Sequence, residues 1–478
     1  MTSDRPWDEL SGPDTPAGTV RAECGEARAA QQDWLVPKAR GPVRAVVRLP
    51  GSKSMTNRAL VLAALSDRPT LITGPLVARD TRLMADALCA LGCRIADSPE
   101  GWLAEPAPLG LPGGPAGPGQ ERIAIDVGNA GTVLRFVPPL AALTHADVTF
   151  RGDARVSMRP VGPLLDALRT LGATVSDDGP GAIPFVVHGR GSVPGGTVTL
   201  DASSSSQLVS GLLLAAARYG AGAEIMHSGP PVPSAPHIEM TVRMLRSAGV
   251  DVRASGDSAV SAGSTQGRLA ATSWRVLPGP IRTEQIDIEP DLSNAVPFLA
   301  AALATGGEVT VAGWPADSLQ PAARIIQLLR SMGAEVHLGS DGLRVAGSGR
   351  IDGVSADLSE VGELTPVLTA LATLAGSPSE FTGIGHLRRH ESDRLAALAS
   401  EIGKLGGDVA ELADGLRIRP APLRASGVMF DSHDDHRLVM AAAVLGLVTD
   451  GVRVQNAATV GKTFPGFSRC WTRILAPA

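Results

Sequence analysis

The sequence predicts an α/β (α+β) protein built from about six copies of one strand-and-helix unit, and three observations predict it. Six apolar helical runs each follow a polar opening and recur at intervals of about 75 residues, the self-similarity of an internal structural repeat. A second kind of helix alternates with them and stops on a glycine followed by a strand. At 478 residues, 44% hydrophobic and 19% charged, the chain is globular and long enough for two domains of about 200 residues each.

Taken in order, residues 1–42 are rich in Ala, Gly, Pro and charge without periodicity, which predicts a disordered N-terminal tail. Pro50-Gly51-Ser52-Lys53-Ser54-Met55-Thr56-Asn57-Arg58 then sets a lysine, hydroxyls and an arginine at the start of the apolar run Ala59 to Leu65. The unpaired backbone N–H groups of a helix start already favour an anion there. A plain capping turn would need the same residue types, but the device recurs. It precedes apolar runs at Gly128-Asn129-Ala130-Gly131-Thr132, Ser203-Ser204-Ser205-Ser206-Gln207, Asp291-Leu292-Ser293-Asn294, Gly362-Glu363-Leu364-Thr365 and Asp434-Asp435-His436-Arg437. The alternating helices end in Leu91-Gly92-Cys93, Leu171-Gly172-Ala173, Ala248-Gly249-Val250, Met332-Gly333-Ala334 and Leu405-Gly406-Gly407, each glycine suited to a left-handed stop. Pro106 to Gln120 reads as a surface loop between strands and Ala254 to Gly267 as a hairpin-like excursion.

Composition excludes several functions. A net charge of −5 argues against a general nucleic-acid or membrane-surface binder, and 3% aromatic residues with a single Tyr leave little for stacking on bases. Cys24, Cys89, Cys93 and Cys470 form no C-x-x-C pair and have no His at metal spacing, so they are expected to be reduced thiols. The acidic start, Met1 to Leu10, lacks the pattern of a signal peptide, and the apolar run Leu438 to Val448 is well short of the roughly 20 residues of a membrane span. A soluble cytoplasmic protein is expected. Gly461-Lys462-Thr463 resembles the end of a P-loop but has Asn456 where the first glycine belongs, and Gly383-Ile384-Gly385 lacks the third glycine of a dinucleotide fingerprint. ATP and NAD are not indicated.

Several motifs then occur in one order: Pro50 to Arg58, Gly128 to Thr132, Arg159-Pro160, Ser205-Ser206-Gln207, Glu391-Ser392-Asp393-Arg394, Asp435-His436-Arg437 and Lys462-Thr463-Phe464-Pro465. Over about residues 43–475 the chain resembles the EPSP synthase (3-phosphoshikimate 1-carboxyvinyltransferase) family of enolpyruvyl transferases. The resemblance implies a two-domain inverse α/β barrel-like fold of six βαβαββ-type repeats with its active site in the interdomain cleft. One domain would comprise residues 53–288, the other residues 43–52 plus 289–478. It implies transfer of the enolpyruvyl group of phosphoenolpyruvate to the 5-hydroxyl of shikimate 3-phosphate, a step toward chorismate and the aromatic amino acids. No metal or organic cofactor is implied, and the partners are the two small-molecule substrates of a monomer.

Carried over position by position, the resemblance implies that Lys53, Ser54, Arg58, Ser205, Ser206, Gln207, Ser234, Glu363 and His390 hold shikimate 3-phosphate. Lys53, Asn129, Gly131, Arg159, Arg394, Arg437 and Lys462 match the phosphoenolpyruvate pocket, where guanidinium forks suit carboxylate and phosphate. Catalysis falls to Lys53, to Glu363 as base for the 5-hydroxyl and to Glu391 beside the methylene carbon. Four positions depart from the commonest pattern: Glu363 is often Asp in the family, His390 often Lys, Phe136 often Pro and His237 sometimes Tyr. With His390, shikimate 3-phosphate binding is expected to be more sensitive to pH. Two alternatives stand beside this reading. The sister enzyme acting on UDP-N-acetylglucosamine characteristically has Lys-Asn where this chain has Lys53-Ser54, and usually a loop cysteine, absent from Arg151 to Pro160. A non-catalytic anion-binding paralogue would be expected to have lost a charged motif residue, and none is lost.

Overall fold

The computed structural model describes residues 20–23, 33–106, 121–179, 181, 183–255, 272–424 and 427–476. Most of the expected surface loop at 106–120 and of the excursion at 254–267 lies outside them. The helices are α1 (Lys53–Ala64), α2 (Arg79–Ala90), α3 (Gly131–Ala141), α4 (Gly162–Thr170), α5 (Ser206–Ala216) and α6 (Pro236–Ser247). They continue as α7 (Leu292–Thr305), α8 (Ala322–Ser331), α9 (Thr365–Thr373), α10 (Arg394–Lys404), α11 (His436–Gly446) and α12 (Phe467–Ile474).

The two kinds of helix foreseen from the sequence differ in burial. In α3, α9 and α11 every residue is buried, and α1, α5 and α7 are nearly so, as helices apolar on all sides must be. By contrast α8 buries only Ile325, Leu328 and Leu329, a single stripe. Five of these outer helices stop on a left-handed glycine, Gly92, Gly172, Gly249, Gly333 and Gly406, with φ between +81° and +100°. After each, the next N–H returns to a carbonyl of the last turn, as from Cys93 to Leu88 (3.0 Å) and Ala334 to Leu329 (3.0 Å), closing a Schellman motif that turns the chain into a strand.

The strands repeat one pattern. Glu121–Asp126 runs parallel to Ala146–Arg151 across α3, and after α4 the hairpin Thr174–Asp177 and Phe185–His188 completes an antiparallel half. The βαβαββ order recurs around α5 and α6, and again around α9 and α10. Two strands are exchanged along the chain. Arg44–Arg48 pairs in parallel with Glu308–Ala312, while Gln285–Asp287 pairs with Thr70–Thr73. The chain accordingly divides into two compact units, Gly51–Ile288 with Arg389–Glu391, here the central unit, and Met1–Pro50 with Glu289–Arg388 and Ser392–Ala478, the terminal unit.

Two expectations need correction. Within the stretch read as a disordered tail, Val20–Glu23 pairs in parallel with the strand at Arg44–Arg48, and Trp34–Leu35 pairs antiparallel with Arg453–Gln455. That second strand completes the sixth repeat, whose parallel pair is Met429–Asp431 with Arg453–Gln455. The cause is a short apolar run, Trp34-Leu35-Val36, that a composition average over 42 residues hides. Trp34 is buried edge-on against Phe467 (6.1 Å), and the Val36 N–H donates to the Val452 carbonyl (2.9 Å). The rest of residues 1–32 lies outside the described residues. Cys470, in α12, is disulfide-bonded rather than reduced, whereas Cys89 and Cys93 are free thiols.

Candidate active site

Within each unit three buried helices pack on one another, and their openings carry the candidate site residues. In the central unit α1, α3 and α5 pack on one another. Asn57 Nδ2 donates to Thr132 Oγ1 (2.7 Å), Arg135 Nη1 to Gln207 Oε1 (2.8 Å) and Arg58 Nη2 to Ser210 Oγ (3.3 Å). Bonds among opening turns bring three positive helix ends to one side of the unit.

At the first end, Ser52 caps α1 by accepting from the Met55 N–H (3.5 Å), and Lys53 Nζ lies 3.3 Å from the Asp80 carboxylate. Ser54 is half-buried, but Arg58 is 1% exposed. Its Nε donates to Thr241 Oγ1 (2.8 Å), Nη1 to the Ser54 carbonyl (2.9 Å) and Nη2 to Ser210 Oγ and the His237 carbonyl (3.0 Å). These bonds use four of the five N–H groups of a guanidinium. Phe136 lies beneath the group, 5.2 Å from ring centre to guanidinium carbon, and burial holds its pKa down at about 9. The resemblance implies a substrate contact for Arg58; in the structure four of its N–H groups bond within the protein, one remains, and the departures at Phe136 and His237 are part of its seat.

The α3 end is arranged differently. Gly131 has an ordinary φ, and Gly128 (φ +51°) is the glycine that makes the turn. A Cβ on Gly131 would lie 2.6 Å from Arg159 Nη1, 3.0 Å from Arg135 Nη1 and 3.3 Å from Gln207 Oε1, so the glycine is required by close approach of two guanidinium groups and an amide. Arg159 leaves buried Nε and Nη2 atoms with no hydrogen-bond acceptor, and the buried Asn129 Oδ1 is likewise without a partner. Glu391 Oε1 stands 4.0 Å from Arg159 Nη2, beyond hydrogen-bond reach, while Arg155 Nη1 donates to the Glu391 carbonyl (3.2 Å). A buried guanidinium without acceptors costs free energy, and beside a helix N-terminus the group that relieves the cost is an anion.

Ser205 caps α5 by accepting from the Gln207 N–H (3.3 Å), and Ser206 is 4% exposed. Because Gln207 Oε1 accepts from Arg135, its Nε2 is the end left to donate elsewhere. Ser234 takes a left-handed turn (φ +53°) before α6, its carbonyl accepting from the His237 N–H (3.0 Å), and His390 is half-buried. Arg135 was not foreseen. Its Nε and Nη2 donate to the Pro160 carbonyl (3.2 Å each), and burial together with the nearby Arg159 lowers its pKa to about 9. The signal was one cation in an otherwise apolar helix, which implies a buried acceptor set.

In the terminal unit α7, α9 and α11 pack on one another. Asp435 caps α11 by accepting from the Arg437 N–H (2.9 Å), and its buried carboxylate takes a two-pronged grip from Arg394, the first residue of α10, at 2.8 and 3.1 Å. Ser392 Oγ adds a second donor side chain (3.1 Å). Arg437 reaches the first turn of α7 through the Ser293 carbonyl (3.1 Å) and Oγ (2.6 Å). Burial lowers the Arg437 pKa, with Asp291, Glu363 and Asp435 opposing and Arg394 adding to the fall. Glu363 sits half-buried in the 3-10 turn Gly362–Leu364 that opens α9. Lys462 Nζ donates to the Asp434 carbonyl (2.7 Å), and the turn that carries it is pinned by Phe464, 5.4 Å from Phe467 and 6.0 Å from Phe298. His386, also unforeseen, packs its Nε2 2.9 Å from where a Gly362 Cβ would be, and burial, then Arg394, depresses its pKa to about 4 against Asp414 and a Gly383 backbone hydrogen bond.

Comparison with known proteins gives the family and the fold. The family model for EPSP synthase (3-phosphoshikimate 1-carboxyvinyltransferase) matches residues 37–471. A 3-phosphoshikimate 1-carboxyvinyltransferase of Kocuria rhizophila is 48% identical over 454 residues, covering 93% of this chain and 97% of that protein. Among solved structures, an EPSP synthase of Acinetobacter baumannii has a TM-score of 0.72 at 24% identity, covering 92% of this chain and 98% of the other. The enolpyruvyl transferase NikO of Streptomyces tendae follows at 0.67 and 16%, covering 92% and 97%, and both share the fold. On the extent of the family match and the identity to the Kocuria protein, the chain belongs to the EPSP synthase family.

Proposed function

We propose that this chain transfers the enolpyruvyl group of phosphoenolpyruvate to the 5-hydroxyl of shikimate 3-phosphate, releasing phosphate and 5-enolpyruvylshikimate 3-phosphate. The observation that carries the reading is Arg159: buried donors without acceptors, beside the α3 N-terminus and against a glycine that lets the guanidinium approach it closely, call for an anion. Phosphoenolpyruvate is assigned to Arg159, Asn129, Gly131, Arg394, Arg437 and Lys462, and shikimate 3-phosphate to Ser54, Ser205, Ser206, Gln207, Ser234 and His390. Arg58 takes part chiefly by holding the Ser54 carbonyl, with one N–H remaining. Lys53 serves both substrates.

The 5-hydroxyl oxygen bonds to C2 of phosphoenolpyruvate while its proton passes to Glu363 and the methylene carbon takes a proton from Glu391. Loss of a proton from the new methyl group restores the double bond and expels phosphate. The guanidinium groups and helix ends stabilise the charge on phosphate and carboxylate throughout. No described helix is long and apolar enough to cross a membrane. We assign the protein to the cytoplasm, acting as a monomer. The test is to mix it with both substrates and follow phosphate: release that requires shikimate 3-phosphate supports the assignment, and none, or release from phosphoenolpyruvate alone, refutes it.

A further inference from the structure

Helix α10 grips one loop at two places. Its first residue, Arg394, holds the Asp435 carboxylate, and seven residues on, about two turns and so on the same face, Glu401 holds the other end. Glu401 is 1% exposed, unusual for a carboxylate unless fully partnered. One oxygen accepts from His433 Nε2 (2.9 Å) and Lys404 Nζ (2.7 Å), the other from the Asp431 N–H (2.9 Å) and Lys404 Nζ (2.7 Å).

Between the two grips the backbone is strained. His433 and Asp434 are consecutive left-handed non-glycine residues, φ +48° and +54°, a conformation that persists only where its surroundings enforce it. The His433 N–H donates to Asp431 Oδ1 (2.7 Å), and the Asp435 N–H to the Ser432 carbonyl (2.8 Å). This turn aims the Asp434 carbonyl at Lys462 and sets Asp435 beneath the Arg437 N–H.

We infer that Glu401 is a positioning residue that sets Lys462 and Arg437 for phosphoenolpyruvate by clamping the loop from Asp431 to Asp435 through His433 and the Asp431 N–H. It touches no substrate, and the inference rests on the proposed reaction.

Glu401→Gln loses the charge on a buried acceptor of four bonds, while His433→Asn keeps a residue that tolerates φ > 0 but is too short to reach Glu401. In the full chain, Glu401→Gln should raise the Michaelis constant for phosphoenolpyruvate about tenfold or more, with shikimate 3-phosphate affinity, read by calorimetry, within about twofold of wild type. If Glu401→Gln fails to fold, the same split in His433→Asn decides. An unchanged constant for phosphoenolpyruvate, or equal loss of both substrates in a folded variant, overturns the inference. Should the wild-type protein release no phosphate, the reaction assignment fails separately. Amide exchange over residues 431–437 then decides: faster exchange in the variant than in wild type supports the clamp, and equal exchange removes it.

Discussion

Replacing Gly131 with alanine tests whether the α3 end is a substrate cradle or only a turn. The new Cβ would lie 2.6 Å from Arg159 Nη1, where ordinary contact begins at 3.4 Å, so the guanidinium must retreat by about 0.8 Å, and Arg135 by about half as much. Both are ends of long side chains and can move. Folding should therefore survive: φ is ordinary, and alanine is favoured over glycine in a helix by roughly 0.5–1 kcal/mol. Ligand binding should not survive intact, since a misplacement near 1 Å in a positioning group costs up to about a hundredfold. The expected outcome is a Michaelis constant for phosphoenolpyruvate raised between about tenfold and a hundredfold, or about 1.4–2.7 kcal/mol, with an unchanged or higher melting temperature. Phosphate-release kinetics beside thermal unfolding measure both. A variant that melts early and loses both substrates together would show Gly131 to be a turn residue, and one with wild-type kinetics would mean Arg159 does not meet the substrate.

Two further predictions follow from the acids and from His386. Glu363→Gln and Glu391→Gln should each cut turnover by about a hundredfold or more while calorimetric binding of shikimate 3-phosphate changes little; near-normal turnover in either would remove that residue from proton transfer. His386 is held neutral in the folded protein, from 6.5 down to about 4, so the unfolded chain binds the extra proton. Its contribution is therefore complete above about pH 6.5 and is lost as pH falls toward 4, up to about 2 kcal/mol between pH 7 and pH 5. Urea unfolding should show the wild type losing more stability over that interval than His386→Phe, and equal losses would contradict the buried neutral imidazole.

The helix starts and stops were legible because each is local. Ser52, Ser205, Asp291 and Asp435 cap the first turns through residues two or three positions away, and the five left-handed glycines close bonds within six residues. What could not be read depends on partners distant in the chain. Trp34 finds its strand partner at Val454, across more than four hundred residues, and nothing near position 34 announces it. Arg135 meets Gln207 seventy-two residues on, and Glu401 meets His433 thirty-two residues on. In sequence Glu401 looks like one more charge on an amphipathic helix, and only its fourfold partnering inside the fold distinguishes it.

Arg58 and Arg159 show where local reasoning ends. Both are arginines tied to the opening of a buried helix, and the family resemblance implies a substrate contact for each. What separates them is a count of acceptors. Arg58 has protein oxygens for four of its N–H groups, whereas two nitrogens of Arg159 are buried with none. Removing Arg58 would strand buried oxygens on α1, α5 and α6 and damage the fold, while removing Arg159 would break none of the described side-chain hydrogen bonds and would take from Glu391 only an ion-pair partner 4.0 Å away. If the proposed function holds, the arginine with unmatched donors in the free protein is the one that meets the anion. On the proposed reading, the donors that folding leaves unmatched on Arg159 are the ones phosphoenolpyruvate would take up on binding.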